Sequence, residues 1–410
     1  MASRVASLAP HLRLVRTDEG RHERARARIQ AANRSVAMLV LPAAGLTVTG
    51  LAMVLSASSV SAYARYGSSF VFFNRQAAYA VVGTLGLLLA AHIRYEAWRR
   101  LSLPLLGVSL LLLALVLNPA AGTVVGGSAR WITLGSVTIQ PSELAKLAVV
   151  TVAAMVLARK WDRLDDLGHL ILPLLPVVLV VCLLVMLQPD LGTTTLIAGT
   201  VFLMLFAAGA RLRHLATIAI ASGGLGFALI MGESYRRARL LSYWNPWADP
   251  QNTGYQLVQS LIALGSGGWT GVGLGASRQK WLYVPNAHTD FVFSLLGEEL
   301  GLVGELVVLA MFGLLVYAGI RVAARAPDVF GRMLAAGVAS WIGLQTVVNL
   351  GAVTGLLPIT GVPLPLVSYG GSSLVVTLTG IGILVGIARA PVRAARFTER
   401  AAARKRGERR

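Results

Sequence analysis

The amino-acid sequence predicts an all-α polytopic membrane protein, with about ten transmembrane helices and one large extracytoplasmic loop between helices 7 and 8. Its 410 residues are 55% hydrophobic and only 13% charged, and the mean hydropathy is +0.68, which is typical of membrane proteins. The chain also contains ten apolar segments, each near the length of about 20 residues that a bilayer span requires. They lie near residues 36–57, 77–94, 101–117, 143–158, 169–187, 192–210, 214–232, 291–320, 333–353 and 373–390. Unpaired backbone amides are not tolerated in lipid and no segment alternates like a barrel strand, so each is expected to be a helix.

The distribution of positive charge predicts the orientation in the membrane. The net charge is +19, and with ten spans 28 of the 37 basic residues fall on the side that carries both termini. By the positive-inside rule, both termini are expected in the cytoplasm and the protein in the cytoplasmic membrane. Membrane lipids with anionic headgroups account for the rest of the basic excess. The sequence does not indicate a nucleic-acid-binding protein, because it contains no motif or aromatic platform for nucleic acid.

Three regions follow from this pattern. Residues 1–35 form a cytoplasmic basic N-terminal extension, 36–390 the ten-helix membrane domain, and 391–410 a cytoplasmic basic tail. The extension can form a helix that is either solvated or held on the inner leaflet by its arginines. The single cysteine, Cys182, lies in an apolar run and excludes a disulfide within the chain.

The large extracytoplasmic loop, residues 233–290, is the longest polar departure between the termini. Its basic residues run against the positive-inside bias and predict an anionic ligand such as a phosphate group; they are Arg236, Arg237, Arg239, Arg278 and Lys280. Residues 255–264 have the spacing of an amphipathic helix at the outer interface. The glycine-rich run GSGGWTGVGLG lacks the strand and helix of a dinucleotide site, so it supports only glycine flexibility or close approach to a ligand.

Asp290, in the run His288-Thr289-Asp290 just before the eighth span, has two readings. It is either the N-cap of that span, where aspartate is favoured, or a carboxylate general base at the membrane surface.

The loop before the fourth span is the second informative stretch. NPAAGTVVGGSARWITLGSVTIQ has the glycines and alternation of a short hairpin or re-entrant turn, and Ser142 is the expected N-cap of the helix that follows. Glu143 and Lys146 are three residues apart and share a helix face, so they are candidates for an ion pair. An exposed pair at the start of the helix is the competing interpretation. The helix dipole disfavours a cation in a first turn, so Lys146 is expected to have an anionic partner, either Glu143 alone or a phosphate.

Other polar residues lie in or beside spans. Asp190 is favoured as a turn or cap residue over a ligand. Glu298, Glu299 and Glu305 lie on the eighth span, where a carboxylate is by default a candidate functional group. The roughly 30 residues and 45 Å of that span predict projection beyond the membrane or a steep tilt. The uncharged loop TGLLPITGVPLPLVSYGGSS is expected to fold into the protein or to line a cavity. Gln345 and Asn349 are expected to make interhelical hydrogen bonds.

Several separate stretches resemble one known family. They are RWITLGSVTIQPSELAKL, QPDLGTT, NPWADPQNTGYQLVQSLIALGSGG, GLGASRQKWLYVPNAHTDFVFSLLGEELGLVG and LPLVSYGGSSL. Together they are similar to the SEDS (shape, elongation, division and sporulation) proteins, which include FtsW and RodA, over residues 36 to 390. GLGASRQKWLYVPNAHTDF, GEELGL and the long N-terminal extension are more similar to FtsW than to RodA. A RodA-like elongation polymerase is the second reading.

The resemblance implies a peptidoglycan glycosyltransferase that polymerises lipid II with inversion at the outer face of the membrane, at the division septum. It implies a class B penicillin-binding protein and divisome membrane proteins as partners. The family's essential loop aspartate falls on Asp290, which is the expected catalytic residue. The family's helix-start acid and base fall on Glu143 and Lys146. The expected substrate-binding residues are Lys146, Glu143, Arg130, Gln140, Arg236, Arg239, Lys280, His288 and Ser372.

Two further function classes compete with this reading. Ten spans and charges within them would also permit a lipid II flippase. A non-catalytic scaffold that recruits the penicillin-binding protein would leave Asp290 dispensable. The sequence shows no carboxylate cage for a metal, so the only cofactor considered is a Mg²⁺ or Mn²⁺ ion on the lipid pyrophosphate.

Overall fold

The computed structural model describes residues 9–125, 128–135, 137–163, 166–279, 281 and 288–407. Within these ranges, helices and strands follow one another in the order below, with short 3-10 turns at Trp161–Arg163 and Pro246–Ala248. The elements are α1 (Ala9–Tyr66), α2 (Val71–His92), α3 (Tyr95–Val116), β1 (Gly122–Val125), β2 (Ser128–Leu134), β3 (Val137–Ile139), α4 (Pro141–Arg159), α5 (Leu167–Met186), α6 (Leu191–Ala207), α7 (Leu212–Met231), α8 (Ser234–Trp244), α9 (Tyr255–Ser266), α10 (Val292–Ala324), α11 (Val329–Val353) and α12 (Gly371–Gly407).

The ten expected spans each fall on one long helix: α1 to α7 and α10 to α12. Among the residues that the structure describes, seven helices are long and apolar enough to cross a membrane by length and composition alone, and Leu172–Met186 and Leu191–Ala207 are shorter apolar helices. Large apolar side chains such as Leu41, Leu172 and Ile220 are exposed on the outside of the bundle. In water such a surface would be unstable, so it is the surface expected to face lipid.

Helices α4, α11 and α12 form the centre of the bundle. The apolar window of α4 is 83% buried, that of α12 78% and that of α11 67%, whereas α7 is 11% buried. Helix α4 packs against α3 and α11, α12 packs against α2 and α1, and α10 packs against α1 and α11. Many residues of α4 are Ala or Val, and small side chains allow neighbouring helices to approach closely. The residues at the start of α4 are therefore placed in the protein interior.

A three-stranded antiparallel sheet, in the order β1-β2-β3, precedes α4. It confirms the expected hairpin and adds a small β element to a fold whose other regular elements, over the described ranges, are helices. The expected N-cap was wrong by two residues: Gln140 occupies the N-cap position and Pro141 the first turn. The fixed φ of proline suits the first helical position, and this moves the helix start ahead of Ser142.

Helix α10 is interrupted at Gly301, where φ is 65° and ψ is −170°. The glycine-rich segment, residues 267–273, enters this interruption: the amides of Leu302 and Val303 donate to the carbonyls of Gly268 (2.9 Å) and Trp269 (3.2 Å). The eighth span is therefore not one continuous helix, and its projection beyond the membrane or its tilt stays a prediction. The glycines were expected to be flexible or to approach a ligand, and here they allow close approach to the backbone of α10 instead. A Cβ on Gly271 would lie 2.1 Å from the carbonyl oxygen of Glu299.

Gly301→Ala is expected to destabilise the protein by about 2–4 kcal/mol, because alanine would have to adopt backbone angles that favour glycine and its Cβ would clash with neighbouring backbone. A Cβ at Gly301 would lie 2.3 Å from the amide nitrogen of Gly271, and backbone cannot yield as a flexible side chain does. The measurement is the midpoint of thermal unfolding in detergent. Gly313→Ala is the control, since Gly313 lies on the same helix with open space around its Cβ. An equal midpoint for the two variants would contradict this account of the interruption.

Two buried glutamates next to the interruption hold neighbouring segments in place. Glu298 accepts hydrogen bonds from the hydroxyl of Ser277 and from the amide of Arg278 (2.9 Å). Glu299 accepts a hydrogen bond from the hydroxyl of Ser56 on α1. These contacts assign both carboxylates a role in joining α10 to the glycine-rich segment and to α1.

Helix α9 packs by its apolar face against α10 and α11. The Ser260 hydroxyl donates to the carbonyl of Val353 (2.7 Å) and accepts from the hydroxyl of Ser294 (2.8 Å). The helix expected over residues 255–264 is thus confirmed, and its buried face rests on protein.

Candidate functional site

The ion pair between Glu143 and Lys146 lies in the first turns of α4. Lys146 Nζ is 2.9 Å from Glu143 Oε2, and the two side chains are 3% and 2% exposed. The expectation of a shared face is confirmed, and the reading of an exposed surface pair is wrong, because α4 begins inside the bundle. Taking two charges out of water costs free energy that a pair of apolar side chains would not cost.

Two residues of α11 complete the surroundings of Lys146. Gln345 Oε1 accepts a hydrogen bond from Lys146 Nζ (2.8 Å), and a second from Trp341 Nε1 (2.9 Å). The ring of Trp341 also lies 5.2 Å from Lys146 Nζ, measured to the ring centroid, where its negative face attracts a cation. The buried ammonium is thus stabilised by a carboxylate, an amide oxygen and an indole ring.

Asp290 lies just before α10, and its side chain is half-buried. The N-cap position of α10 is Phe291, so the structure does not give Asp290 the capping position. A Cβ built on Gly361 would lie 3.6 Å from Asp290 Oδ2, which puts the carboxylate beside the segment between α11 and α12. The backbone carbonyl of Asp290 accepts a hydrogen bond from Asn349 Nδ2 (2.9 Å).

The segment between α11 and α12, residues 358–370, lies inside the protein as expected for its uncharged sequence. Val362, Leu364, Leu366, Val367 and Ser368 are all buried. Its backbone carbonyls accept hydrogen bonds from amide side chains of neighbouring helices, which replaces the water that a surface loop would bind. We refer to it as the central segment.

The central segment connects the two halves of the site. Gln345 Nε2 donates to the carbonyl of Pro363 (2.9 Å), and Asn349 Nδ2 donates to the carbonyl of Val362 (2.7 Å). Gln345 also contacts Lys146, and Asn349 also contacts the backbone of Asp290. Interhelical bonds were expected from these two amides. Only the bond of Gln345 to Lys146 is of that kind, and the connection through the central segment was missed.

Arg130, on β2, is held at the turn between α5 and α6. Its guanidinium donates to the carbonyls of Gln188 (3.0 Å) and Pro189, and lies 3.9 Å from Asp190 Oδ2. The carboxylate of Asp190 caps α6 by accepting from the amide of Thr193 (3.0 Å), which confirms the cap interpretation. The side chain of Arg130 remains 28% exposed.

Ser372 and Gln140 are brought together where β3 meets α12. The amide of Gln140 donates to Ser372 Oγ (3.0 Å), and that hydroxyl donates to the carbonyl of Thr138 (3.3 Å). The Tyr79 hydroxyl of α2 contacts the same residue, accepting from the amide of Thr138 (3.0 Å). These bonds tie the strand that leads into α4 to the first turn of α12.

His288 lies in a small aromatic cluster. Its ring centroid is 5.0 Å from that of Phe72 and 5.6 Å from that of Tyr369, and its carbonyl accepts from the amide of Tyr369 (2.9 Å). Burial lowers the pKa of the His288 imidazole, so the neutral ring is favoured against the two aromatic rings. Two residues before Asp290, the chain is thereby fixed to α2 and to the central segment.

Three of the predicted cations are not placed by side-chain contacts. Lys280 lies outside the described residues. Arg236 and Arg239 lie on helix α8, but their side chains are also outside the described part of the structure. Arg278 is described and exposed, and its backbone is fixed by Glu298. The structure therefore pairs Glu143 with Lys146 and connects this pair, through Gln345, the central segment and Asn349, to the backbone of Asp290. The contribution of the loop cations stays a prediction.

Chemically, this arrangement offers a half-buried carboxylate and a buried, compensated cation that are connected through Gln345, the central segment and Asn349. Such an arrangement suits removal of a proton at one position and stabilisation of negative charge at another. Fold and site thus define a polytopic membrane protein with a buried ion pair in its bundle and a carboxylate connected to it.

Comparison with known proteins gives the family. Residues 36–392 match the model of the FtsW, RodA and SpoVE family, described as cell cycle proteins. The chain belongs to this family. It is 44% identical over 350 residues to a probable peptidoglycan glycosyltransferase FtsW of Geobacter metallireducens, covering 85% of this chain and 93% of that protein. It is 42% identical to the stage V sporulation protein E of Bacillus subtilis, covering 86% of this chain and 96% of that protein.

Solved structures share the fold. A chain of a peptidoglycan synthase complex, described for its coordination of polymerization and crosslinking, aligns with a TM-score of 0.69 at 33% identity, covering 86% of this chain and 96% of that one. The rod shape determining protein RodA of Thermus thermophilus aligns with a TM-score of 0.62 at 33% identity, covering 86% and 95%.

Proposed function

We propose that this protein is a peptidoglycan glycosyltransferase that polymerises lipid II into glycan strands at the outer face of the cytoplasmic membrane. The observation that carries the proposal is the buried ion pair of Glu143 and Lys146, connected through Gln345, the central segment and Asn349 to Asp290. A buried ion pair is weak evidence for stability, so a functional reason for it is the better explanation. The relatives named as peptidoglycan glycosyltransferases support the same activity.

In this mechanism Asp290 is the general base. It takes the proton from the acceptor sugar hydroxyl while that oxygen forms a bond to the anomeric carbon of the donor. The bond from the anomeric carbon to the pyrophosphate oxygen breaks, and the lipid pyrophosphate leaves with the electron pair. Attack opposite the leaving group inverts the anomeric centre, so no covalent intermediate with the protein is formed. A half-buried carboxylate whose main chain is fixed by Asn349 is suited to this step.

Lys146 stabilises the negative charge that develops on the leaving pyrophosphate. Its charge acts from a water-poor environment, where electrostatic stabilisation is stronger than in water. Glu143 orients the ammonium and compensates it when no substrate is present. Arg130 and the loop cations Arg236, Arg239 and Lys280 are proposed to contact the pyrophosphate from the membrane surface, and Gln140, His288 and Ser372 to contact the rest of the substrate.

The proposed orientation places both termini in the cytoplasm and the sheet, α8, α9 and Asp290 outside. The charge asymmetry of the sequence supports it. We propose a class B penicillin-binding protein as the partner, together with divisome membrane proteins, at the division septum. The similarity to a chain of a peptidoglycan synthase complex supports a partner that cross-links, and the 40–44% identity to proteins named FtsW supports a role in division rather than elongation.

A divalent cation is the one cofactor considered for this reaction. Among the described residues, no group of three or more His, Cys, Asp and Glu side chains could hold a metal ion. These residues do not fit a protein-held cation, and the steps above use none. A Mg²⁺ or Mn²⁺ ion carried by the lipid pyrophosphate itself stays a prediction, which titration with EDTA in the polymerisation assay tests.

The test of the proposed function is a reconstitution with purified lipid II. The protein is placed in liposomes with and without a class B penicillin-binding protein, and both glycan chains and movement of lipid II between leaflets are measured. Glycan chains are the expected product, with the partner increasing their yield. Leaflet transfer without glycan chains would support a flippase, and glycan chains formed only by the partner would support a scaffold; either result would end the proposal.

A further inference from the structure

We propose that Gln345 and Asn349 are positioning residues that hold Lys146 and Asp290 in a fixed relation through the shared central segment. This inference rests on the proposed function and adds residues that act on the chemistry without contacting the substrate. The two amides lie one helical turn apart on α11, so they face the same side of that helix. Both are almost completely buried.

The hydrogen bonds of Gln345 leave its amide only one orientation. Its oxygen accepts from Lys146 Nζ (2.8 Å) and from Trp341 Nε1 (2.9 Å), and its nitrogen donates to the Pro363 carbonyl (2.9 Å). A flipped amide would turn its NH₂ group toward two donors and its oxygen toward a carbonyl. A displacement of Pro363 is therefore transmitted to the ammonium of Lys146 through a rigid group.

Asn349 is fixed in the same way on the side of Asp290. Its nitrogen donates to the carbonyls of Asp290 (2.9 Å) and Val362 (2.7 Å). This choice leaves Asn349 Oδ1 buried and without a hydrogen-bond partner among the described residues. Buried acceptors of this kind are rare and call for an explanation. The two donor bonds of Asn349 determine the orientation of its amide, and one of them fixes the main chain at Asp290.

Val362 and Pro363 are consecutive, and consecutive carbonyls of one rigid segment cannot move independently. The chain of contacts therefore runs from Glu143 through Lys146, Gln345 and the central segment to Asn349 and Asp290. Since misplacement of catalytic groups by about 1 Å can cost roughly 100-fold in rate, this connection has a direct consequence for catalysis.

The test measures polymerisation of lipid II by full-length variants in liposomes. Gln345→Met removes all three bonds of that amide, and Asn349→Leu removes both bonds of the other. Each is expected to lower kcat by about 10- to 100-fold with KM for lipid II changed less than about 3-fold. Combined, they are expected to lower kcat no more than the stronger single variant, because either change disconnects the same link.

Gln345→Glu separates positioning from simple packing. An ionised glutamate keeps the acceptor for Lys146 and Trp341 but presents an oxygen to the Pro363 carbonyl, so the link to the central segment is lost and a second carboxylate lies beside Lys146. Added negative charge beside Lys146 would also weaken binding of the anionic donor and raise KM. A loss of kcat as large as that of Gln345→Met, with KM for lipid II changed less than about 3-fold, therefore supports the proposal. Full activity of Gln345→Glu would overturn it, since contact with Lys146 alone would then suffice.

Thr346→Val is the matched control. Thr346 is buried on the same helix, and its hydroxyl donates to the carbonyl of Ile342 in its own helix (2.8 Å). It is expected to keep wild-type kcat with a small change in the unfolding midpoint. Additive losses in the double variant, or a fall in kcat for Thr346→Val as large as for Gln345→Met, would overturn the proposal.

Failure of the proposed function itself has a different signature. If the wild-type protein forms no glycan chains, the proposed activity is wrong. The connection between Lys146 and Asp290 is then tested by the thermal unfolding midpoints of the same variants in detergent. Non-additive losses for the Gln345 and Asn349 pair would still support the connection, whereas additive losses would overturn it.

Discussion

Asp290→Asn is expected to abolish polymerisation of lipid II, with a fall in kcat of at least about 100-fold and up to 10,000-fold, the range that general bases supply. Asparagine has nearly the same shape but cannot accept the proton of the acceptor hydroxyl. The backbone carbonyl of residue 290 still accepts from Asn349, so folding and membrane insertion are expected to be unchanged. The measurement is glycan chain formation in liposomes, normalised to the amount of inserted protein.

Asp249→Asn is the matched control for this variant. Asp249 is a partly exposed aspartate in the same large loop, and its carboxylate accepts from Asn252 Nδ2 (2.9 Å) and Thr253 Oγ1 (3.1 Å). These hydrogen bonds lower the pKa of its carboxyl, so Asp249 is ionised at neutral pH. Activity is expected to persist in Asp249→Asn. Normal glycan chains from Asp290→Asn would end the general-base assignment and favour a scaffold.

Lys146→Ala is expected to lower kcat by about 100- to 1,000-fold, because it removes a preorganised charge next to the leaving group. It also leaves Glu143 buried without its partner, which typically costs about 3–5 kcal/mol of stability. Use of the donor should fall more steeply than protein accumulation. Initial rates at varied lipid II concentration and unfolding midpoints in detergent check the two effects separately.

The double variant Glu143→Gln with Lys146→Met distinguishes the two roles of the pair. It removes both charges at once, so stability is expected to return close to that of the wild type. Activity is expected to stay as low as in Lys146→Ala, since the cation is still missing. If the double variant recovers activity, or if Lys146→Ala fails to accumulate while the double variant is fully active, the pair is structural.

Much of the fold could be predicted because each membrane span is a long apolar run in the sequence. Each of the ten expected segments coincides with one long helix. The pairing of Glu143 with Lys146 followed from helix periodicity alone. The inward folding of the central segment followed from its lack of charge. All three signals are local, and a local signal can be read from one chain.

What sequence reasoning missed depends on contacts between distant residues. Gly301 looks like an ordinary glycine in an apolar run, and its role appears only when residues 267–273 are placed against it. Gln345 and Asn349 stand out in the sequence only as polar residues in a span. Their i, i+4 spacing is the signal that could have indicated a shared function. Their acceptors are backbone carbonyls of another segment, and backbone carbonyls leave no trace in a sequence.

The dependence on Val362 and Pro363 carbonyls has a consequence for how this site tolerates sequence change. Side chains of the two residues take no part in the bonds to Gln345 and Asn349, so substitutions that preserve volume and backbone shape should be nearly neutral for the connection. The insertion or deletion of a single residue is different. It would shift the carbonyls along the chain by up to about 3.5 Å, so that they no longer coincide with amides spaced one helical turn apart. In this segment, length is under tighter constraint than composition.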